Sequence, residues 1–449
     1  MYLLGRGSML RATCCEFRSS LKSSIRLYPT KRFMATEVQD TGEQSGEGGE
    51  VGQQKPPGRI HILGVGNVGT FVAHSLASHP SPPPITLLLQ DPHVYRNWID
   101  RKRAVALQQN GLDSIKTGFD VNVLNHKTWY SLPDWAQGGE TEGTHSHLNR
   151  TWRETKIEEA WTESVEEDSR IDCLVVAAKA TQTVRAVMSV KHRLARDSTI
   201  LFLQNGMGVV EEVNSKVFPF AETRPHYISG IISHALMNKG PFHTEHKGLG
   251  TTILGPVPQS SDAAAQQGDM APTTKYLLRT MNLTQQLIAS TETPTSMMQY
   301  QLEKLALNSV INPLTAILGC ENGEILYNYS FTRIMRMLLI EISSVICALP
   351  ELKGVPGVED RFSVERLRRL AVQLANRTAK NKSSMLQDID AGRYLEIDYM
   401  NGYIVRRGEE LGIKCAVNYM IQHMAMGKHA VLRQRERGAI PVDLTGSAS

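Results

Sequence analysis

Residues 59–69 read Arg-Ile-His-Ile-Leu-Gly-Val-Gly-Asn-Val-Gly, and Phe71-Val72-Ala73-His74-Ser75-Leu76-Ala77 follow. That is a short β-type run, a GxGxxG turn and a helical pattern in immediate succession. The order needs each glycine. Gly64 makes the tight turn, Gly66 lets the backbone touch a pyrophosphate, and Gly69 allows close helix-to-strand packing. The helix then offers its unpaired N–H groups to an anion. The pattern predicts an α/β domain of Rossmann type that binds a dinucleotide, with Asn67 and Val68 completing the phosphate turn.

A second strand, Ile85–Leu89, ends at Gln90-Asp91, where such folds read the adenine ribose. Asp91 suits the free 2′-hydroxyl of NAD. Arg96, Arg101, Lys102 and Arg103, just downstream, suit the 2′-phosphate of NADP, so these residues leave the coenzyme open. Further strands at Cys173–Ala178 and Thr199–Leu203 run out into Lys179 and Gln204-Asn205-Gly206. Ligands of open α/β sheets lie beyond the carboxyl ends of strands, which predicts Lys179 and Asn205 at the nicotinamide end of a crevice.

The rest of the 449 residues sets limits. Lys plus Arg number 49 against 45 Asp plus Glu, a balance that points to no nucleic-acid partner. No apolar run reaches the roughly 18 residues of a membrane span. Residues 1–35 carry Arg6, Arg11, Arg18, Lys22, Arg26, Lys31 and Arg32 against Glu16 alone, the composition of a mitochondrial transit peptide; a basic tail of a cytoplasmic protein is the alternative. Residues 36–58 read as a linker. An acidic insertion at 134–170 and a Pro/Gln/Ser/Ala-rich stretch at 256–274 read as surface loops. Two domains are therefore expected, 59–292 and 293–449. Cys14, Cys15, Cys173, Cys320, Cys347 and Cys415 lack metal-ligand spacing and read as free thiols. His145 with His147, and His243 with His246, read as loop histidines, and no metal is expected.

From about Thr293 the pattern turns helical and suggests an all-α second domain. In Gln299–Leu318, Lys304, Asn308 and Asn312 fall four apart and form one stripe drifting about 40° per step, with Thr315 returning to the meridian of Lys304. The other faces are apolar, so the helix is buried and its polar stripe must meet a partner or a ligand. Pro313 is expected to kink it. Glu396 is expected to open an amphipathic helix through Ile397, Met400, Ile404 and Leu411.

Taken together, the strand-GVGNVG start, the Lys179 strand exit, Gln204-Asn205-Gly206, the KLALNSVINPLTAI helix and SSMLQDI…EIDYMNG resemble the ketopantoate reductase (2-dehydropantoate 2-reductase) family over residues 59–425. The resemblance implies NADPH-dependent reduction of ketopantoate to pantoate, in the route to pantothenate and coenzyme A, at a site between a Rossmann domain and a helical domain. It implies Lys304 as the general acid and Glu396 beside the cofactor. Asn308, Asn312, Asn322 and Ser384 would hold the substrate; Asn205 would touch substrate and cofactor, and Lys179 would lie near the nicotinamide. The family's strand-end Arg appears here as Gln90, so NAD stays beside NADP. A small 2-oxo acid is the expected partner and a homodimer the expected assembly. The alternatives are a reductase of another 2-oxo acid and a non-catalytic mitochondrial binding or regulatory protein on the same fold.

Overall fold

The computed structural model describes residues 58–133, 158–258 and 270–436. The expectations for residues 1–57, the acidic stretch 134–157 and His145 and His147 lie outside them.

Ile60–Leu63, Ile85–Leu89 and the second half of Ile171–Val176 are buried throughout and, His61 and Thr86 apart, apolar on both faces, as suits central strands of a parallel sheet. Six parallel strands form the middle of a larger sheet: Asp120–Asn125, Ile85–Leu89, Ile60–Leu63, Ile171–Val176, Leu194–Phe202 and His226–Ile232, in that spatial order. Numbered along the chain this is 3-2-1-4-5-6, and the direction of winding reverses between Ile60–Leu63 and Ile171–Val176. Antiparallel strands extend both edges. One of them, Val165–Glu166, pairs with Tyr130 and Ser131, so the end of the acidic insertion is an edge strand rather than a loop. The second predicted loop is likewise shorter than expected: the strand Thr252–Val257 and the helix Pro272–Leu283 take its two ends, with Pro272 in the first helical turn, where its missing N–H is harmless.

A second sheet of four strands, Ala235–Gly240, His243–Gly248, Val105–Gln109 and Leu112–Lys116, packs on the helix Asn67–Ala77. It places His243 and His246 in a strand, not a loop. His246 is buried because the inward face of that strand meets Phe71.

The C-terminal part is helical and surrounds Pro294–Leu318. Thr293 caps this helix by accepting from Ser296 N–H, and Gly319 ends it at φ +69°. The helix runs on through Pro313. Proline cannot bond the carbonyl four residues back, which is that of Ser309, and the buried Asn401 side chain donates to it instead at 2.9 Å. Asn401 in turn donates to Asn418, whose amide reaches Glu341 at 2.7 Å. Glu341 also accepts the N–H groups of Val417 and Asn418 at the start of the helix Ala416–Glu436. Glu396 does not open a long helix. It precedes the short 3-10 turn Ile397–Tyr399, and Met400, at φ −112° and ψ −97°, separates that turn from the helix Asn401–Glu410.

Asn401→Leu strands the Ser309 carbonyl in the core and is expected to lower stability by about 1–3 kcal/mol. Pro313→Ala in the same background restores the N–H donor and should recover part of the loss, as read by urea denaturation.

Candidate active site

The carboxyl ends of the parallel strands open on a cleft of about 850 Å³ between the sheet and the helices. Gly64 leaves Ile60–Leu63 at φ +99°, and a Cβ there would lie 2.5 Å from Ala178 N. A Cβ on Gly69 would strike the Gly64 carbonyl oxygen, so Gly69 packs the helix against the turn and does not itself line the cleft. Nothing stands within 4 Å of the Cβ position of Gly66, which faces the cleft. Gly66, at the N-cap of the helix Asn67–Ala77, has no side chain to cap it, and Asn67 Oδ1 is buried without a partner among the described residues. A glycine cradle that a side chain would fill, ending at an uncapped helix N-terminus, fits a dinucleotide pyrophosphate. Val68 and Gln90 line the same side. Asp91 is committed elsewhere, since its carboxylate caps the helix Pro92–Asp100 by accepting His93 N–H at 2.6 Å.

At the switch point between strands 1 and 4, Lys179 follows Ile171–Val176 and donates to Asp388 at 2.8 Å and to Glu396 at 3.3 Å. Both carboxylates are nearly inaccessible, with side chains 4% exposed. Burial alone would lower the Lys179 pKa, but Glu396 and then Asp388 outweigh it and hold it above the ordinary lysine value. Glu396 also accepts Ala180 N–H at 2.9 Å, which makes it the N-terminal cap of the helix Ala180–Val190 from across the cleft. Arg393 takes the other oxygen of Asp388 at 2.9 Å.

The helix Pro294–Leu318 presents Lys304, Asn308 and Asn312 to the cleft, with Tyr300 one turn earlier in the same stripe. Lys304 donates to the backbone carbonyl of Ile232 at 2.9 Å. Burial pulls its pKa down to about 8 against the opposing charge of Glu396. Asn312 has only Met400 Sδ, at 3.8 Å, as a side-chain partner, while Asn205 and Asn308 have none among the described residues. These amides are available to a ligand. Thr315 instead bonds Ser383 at 2.7 Å beneath the exposed, cleft-lining Ser384.

Asn322 stands apart. It follows the helix end at Gly319, its backbone N–H bonds Asn381 O, and its side chain donates to Thr378 at 3.0 Å outside the cleft lining. The stripe logic could not apply to it, because it lies beyond the helix. Asp388 and His234 also line the cleft and carried no assignment from sequence. Asp388 sits four residues after Ser384 on the same short helix, a spacing that could have found it; His234 had no such signal.

An open six-stranded parallel core with a dinucleotide cradle at its switch point, faced by a lysine and free amides from a helical part, defines a nicotinamide-dependent oxidoreductase architecture. The profile "Ketopantoate reductase PanE/ApbA" matches residues 60–259, and "Ketopantoate reductase PanE/ApbA C terminal" matches 296–429. The chain belongs to the ketopantoate reductase family, whose members are oxidoreductases acting on CH–OH groups. It is 33% identical to the 2-dehydropantoate 2-reductase of Shigella flexneri over 58% of this chain and 75% of that protein. A probable 2-dehydropantoate 2-reductase of Schizosaccharomyces pombe is 29% identical over 80% and 93% respectively. A ketoisovalerate reductase of Gibberella fujikuroi is 26% identical over 77% of each chain. The solved D-mandelate dehydrogenase bound to NADH and anilino(oxo)acetate shares the fold, with a TM-score of 0.60 at 18% identity over 83% of this chain and 99% of that one.

The two later glycines of the turn separate experimentally. Gly66→Ala should fold with an unchanged melting temperature, whereas Gly69→Ala should lose on the order of 1–3 kcal/mol or more from overpacking, as read by thermal denaturation.

Proposed function

We propose that this protein reduces ketopantoate to pantoate with NADPH, with Lys304 as the proton donor. The observation that carries the reading is one helix face that turns three groups into the cleft that holds the glycine cradle. They are a lysine with a lowered pKa, the Asn308 amide, unpaired among the described residues, and the Asn312 amide, held only by a thioether sulfur. The turn Gly64–Gly69 and the start of its helix would hold the pyrophosphate. Reduced NADP, when bound, supplies the hydride for the ketone carbon. As negative charge develops on the ketone oxygen, the Lys304 ammonium stabilises it and gives up a proton to it, leaving an amine that solvent recharges. A pKa near the working pH suits that transfer. Asn205, Asn308, Asn312 and Ser384 orient the substrate's carboxylate and hydroxyl. Glu396 keeps Lys179 and the helix at Ala180 in register and sustains the charge on Lys304.

The choice of NADPH is supported by Asp91 being engaged as a helix cap while the exposed Arg96 and Lys102 stand nearby without ion-pair partners among the described residues. A second reading, reduction of ketoisovalerate or another branched 2-oxo acid, is supported by the fungal relatives of that name.

The test follows loss of nicotinamide absorbance with ketopantoate or ketoisovalerate and with NADPH or NADH. Turnover should be fastest with ketopantoate and NADPH, and Lys304→Ala should reduce it by about 10² or more. Faster turnover of ketoisovalerate selects the second reading. Absence of turnover with every pair, in a folded protein that binds dinucleotide, overturns the ketopantoate reading and moves the assay to other 2-oxo acids; absence there too leaves the non-catalytic alternative. Because the protonated lysine is the active form, kcat/KM should fall as pH rises through about 8, the Lys304 value, and Lys304→Ala should lose that limb. Light scattering of the same preparation reads the assembly, for which a homodimer is expected. Residues 1–35 are proposed to direct mitochondrial import; a reporter fused to residues 1–40 that stays in the cytosol overturns that.

A further inference from the structure

Two buried histidines, one lining the cleft and the other behind it, have no part in the chemistry above. His234 lines it two residues past the end of the strand His226–Ile232, and His246 lies on His243–Gly248. His234 Nδ1 is 3.0 Å from His246 Nε2, and both rings rest against Phe71.

The acceptor-only carbonyl of Leu287 sets the order of donors along the pair. His234 Nε2 faces the Leu287 carbonyl at 3.0 Å and must donate to it. His234 Nδ1 then has no proton and accepts from Gly250 N–H at 3.2 Å. His246 Nε2 must therefore be the donor between the rings, and its Nδ1 accepts from the Gln109 amide at 2.7 Å. Burial holds both rings below the ordinary histidine pKa, and so neutral. Phe71 faces the pair from the helix; one turn on, the His74 ring is engaged by Gln286 and Ser114, and the cation acting on it is Lys116.

The chain from Gln109 to Leu287 grips the turn after Ile232. Ser233 N–H donates to Thr251 O at 2.9 Å, and Gly250 approaches so closely that a Cβ on it would sit 2.5 Å from His234 N. The carbonyl that opens this turn, that of Ile232, is the one that holds Lys304 Nζ at 2.9 Å. We infer that His234 and His246 are positioning residues for Lys304: their single-tautomer chain fixes the Ser233-His234 turn and thereby aims the Ile232 carbonyl at the lysine ammonium. The inference rests on the reading of Lys304 as proton donor, but its test does not depend on turnover.

The full-length protein is labelled by reductive ¹³C-dimethylation of its lysines. The Lys304 resonance is assigned by its absence in Lys304→Ala and titrated in wild type, His246→Leu, His246→Gln and Gln109→Ala. Losing the carbonyl acceptor disfavours the ammonium, so His246→Leu should titrate about half a unit or more below wild type and lower kcat about tenfold, with the coenzyme KM unchanged. His246→Gln, whose amide can donate to His234 and accept from Gln109, should restore both values. Gln109→Ala, at an exposed strand end, should shift Lys304 in the same direction by less, and it serves if His246→Leu does not fold. Unchanged titration of Lys304 in the folded variants overturns the inference even if their melting temperatures fall, and so does a shift that Gln does not reverse. Retention of turnover by Lys304→Ala would instead overturn the proton-donor reading, while the titration still judges the histidine pair.

Discussion

The site depends on one buried carboxylate shared between two kinds of structure. Glu396 comes from the helical part, yet its oxygens serve Ala180 N–H and Lys179 on the parallel sheet. A carboxylate so deeply buried is tolerable only because it is both paired and hydrogen-bonded. Those bonds bring the carboxyl end of the fourth parallel strand against the helices and set one wall of the cleft. The same charge opposes the desolvation of Lys304 without cancelling it. Two lysines in one cleft thus come to differ, one held firmly charged and the other poised to release a proton.

The helix Pro294–Leu318 shows the other side of the same physics. Its apolar faces fill the helical core, leaving its polar stripe only the cleft to face. Proline within a core helix would ordinarily strand a carbonyl, and the Asn401–Asn418–Glu341 network removes that penalty while also capping the last helix. Rigid support beneath Lys304 and Asn308 comes from residues that never touch the cleft.

Much of this was legible in the residues. The GVGNVG turn announced its own stereochemistry, and the structure assigns different surroundings to Gly64, Gly66 and Gly69 because each solves a separate steric problem. The four-residue spacing of Lys304, Asn308 and Asn312 was readable because helical periodicity is local. Asn322 was not: it lies past Gly319, where no period applies, and it turns to Thr378. The second sheet has a local signal of its own in Asn110-Gly111, with φ of +51° and +82°, the residues a tight two-residue hairpin demands. Local pattern makes Glu396 the start of its own helix, whereas the N–H group it caps belongs to Ala180.

The sequence alone determined the order of strand, cradle and helix, the apolar strands that had to be central, and which face of the long helix was polar. These follow from local periodicity and from the backbone angles each residue type permits. Only the tertiary structure decided that Lys179, Asp388 and Glu396 form one cluster, that Asn401 completes the turn opened by Pro313, and that His234 meets His246. Those partners stand far apart in sequence or across a hairpin. Their pairing is selected by the cost of leaving buried charges, carbonyls and ring nitrogens unsatisfied once the elements pack.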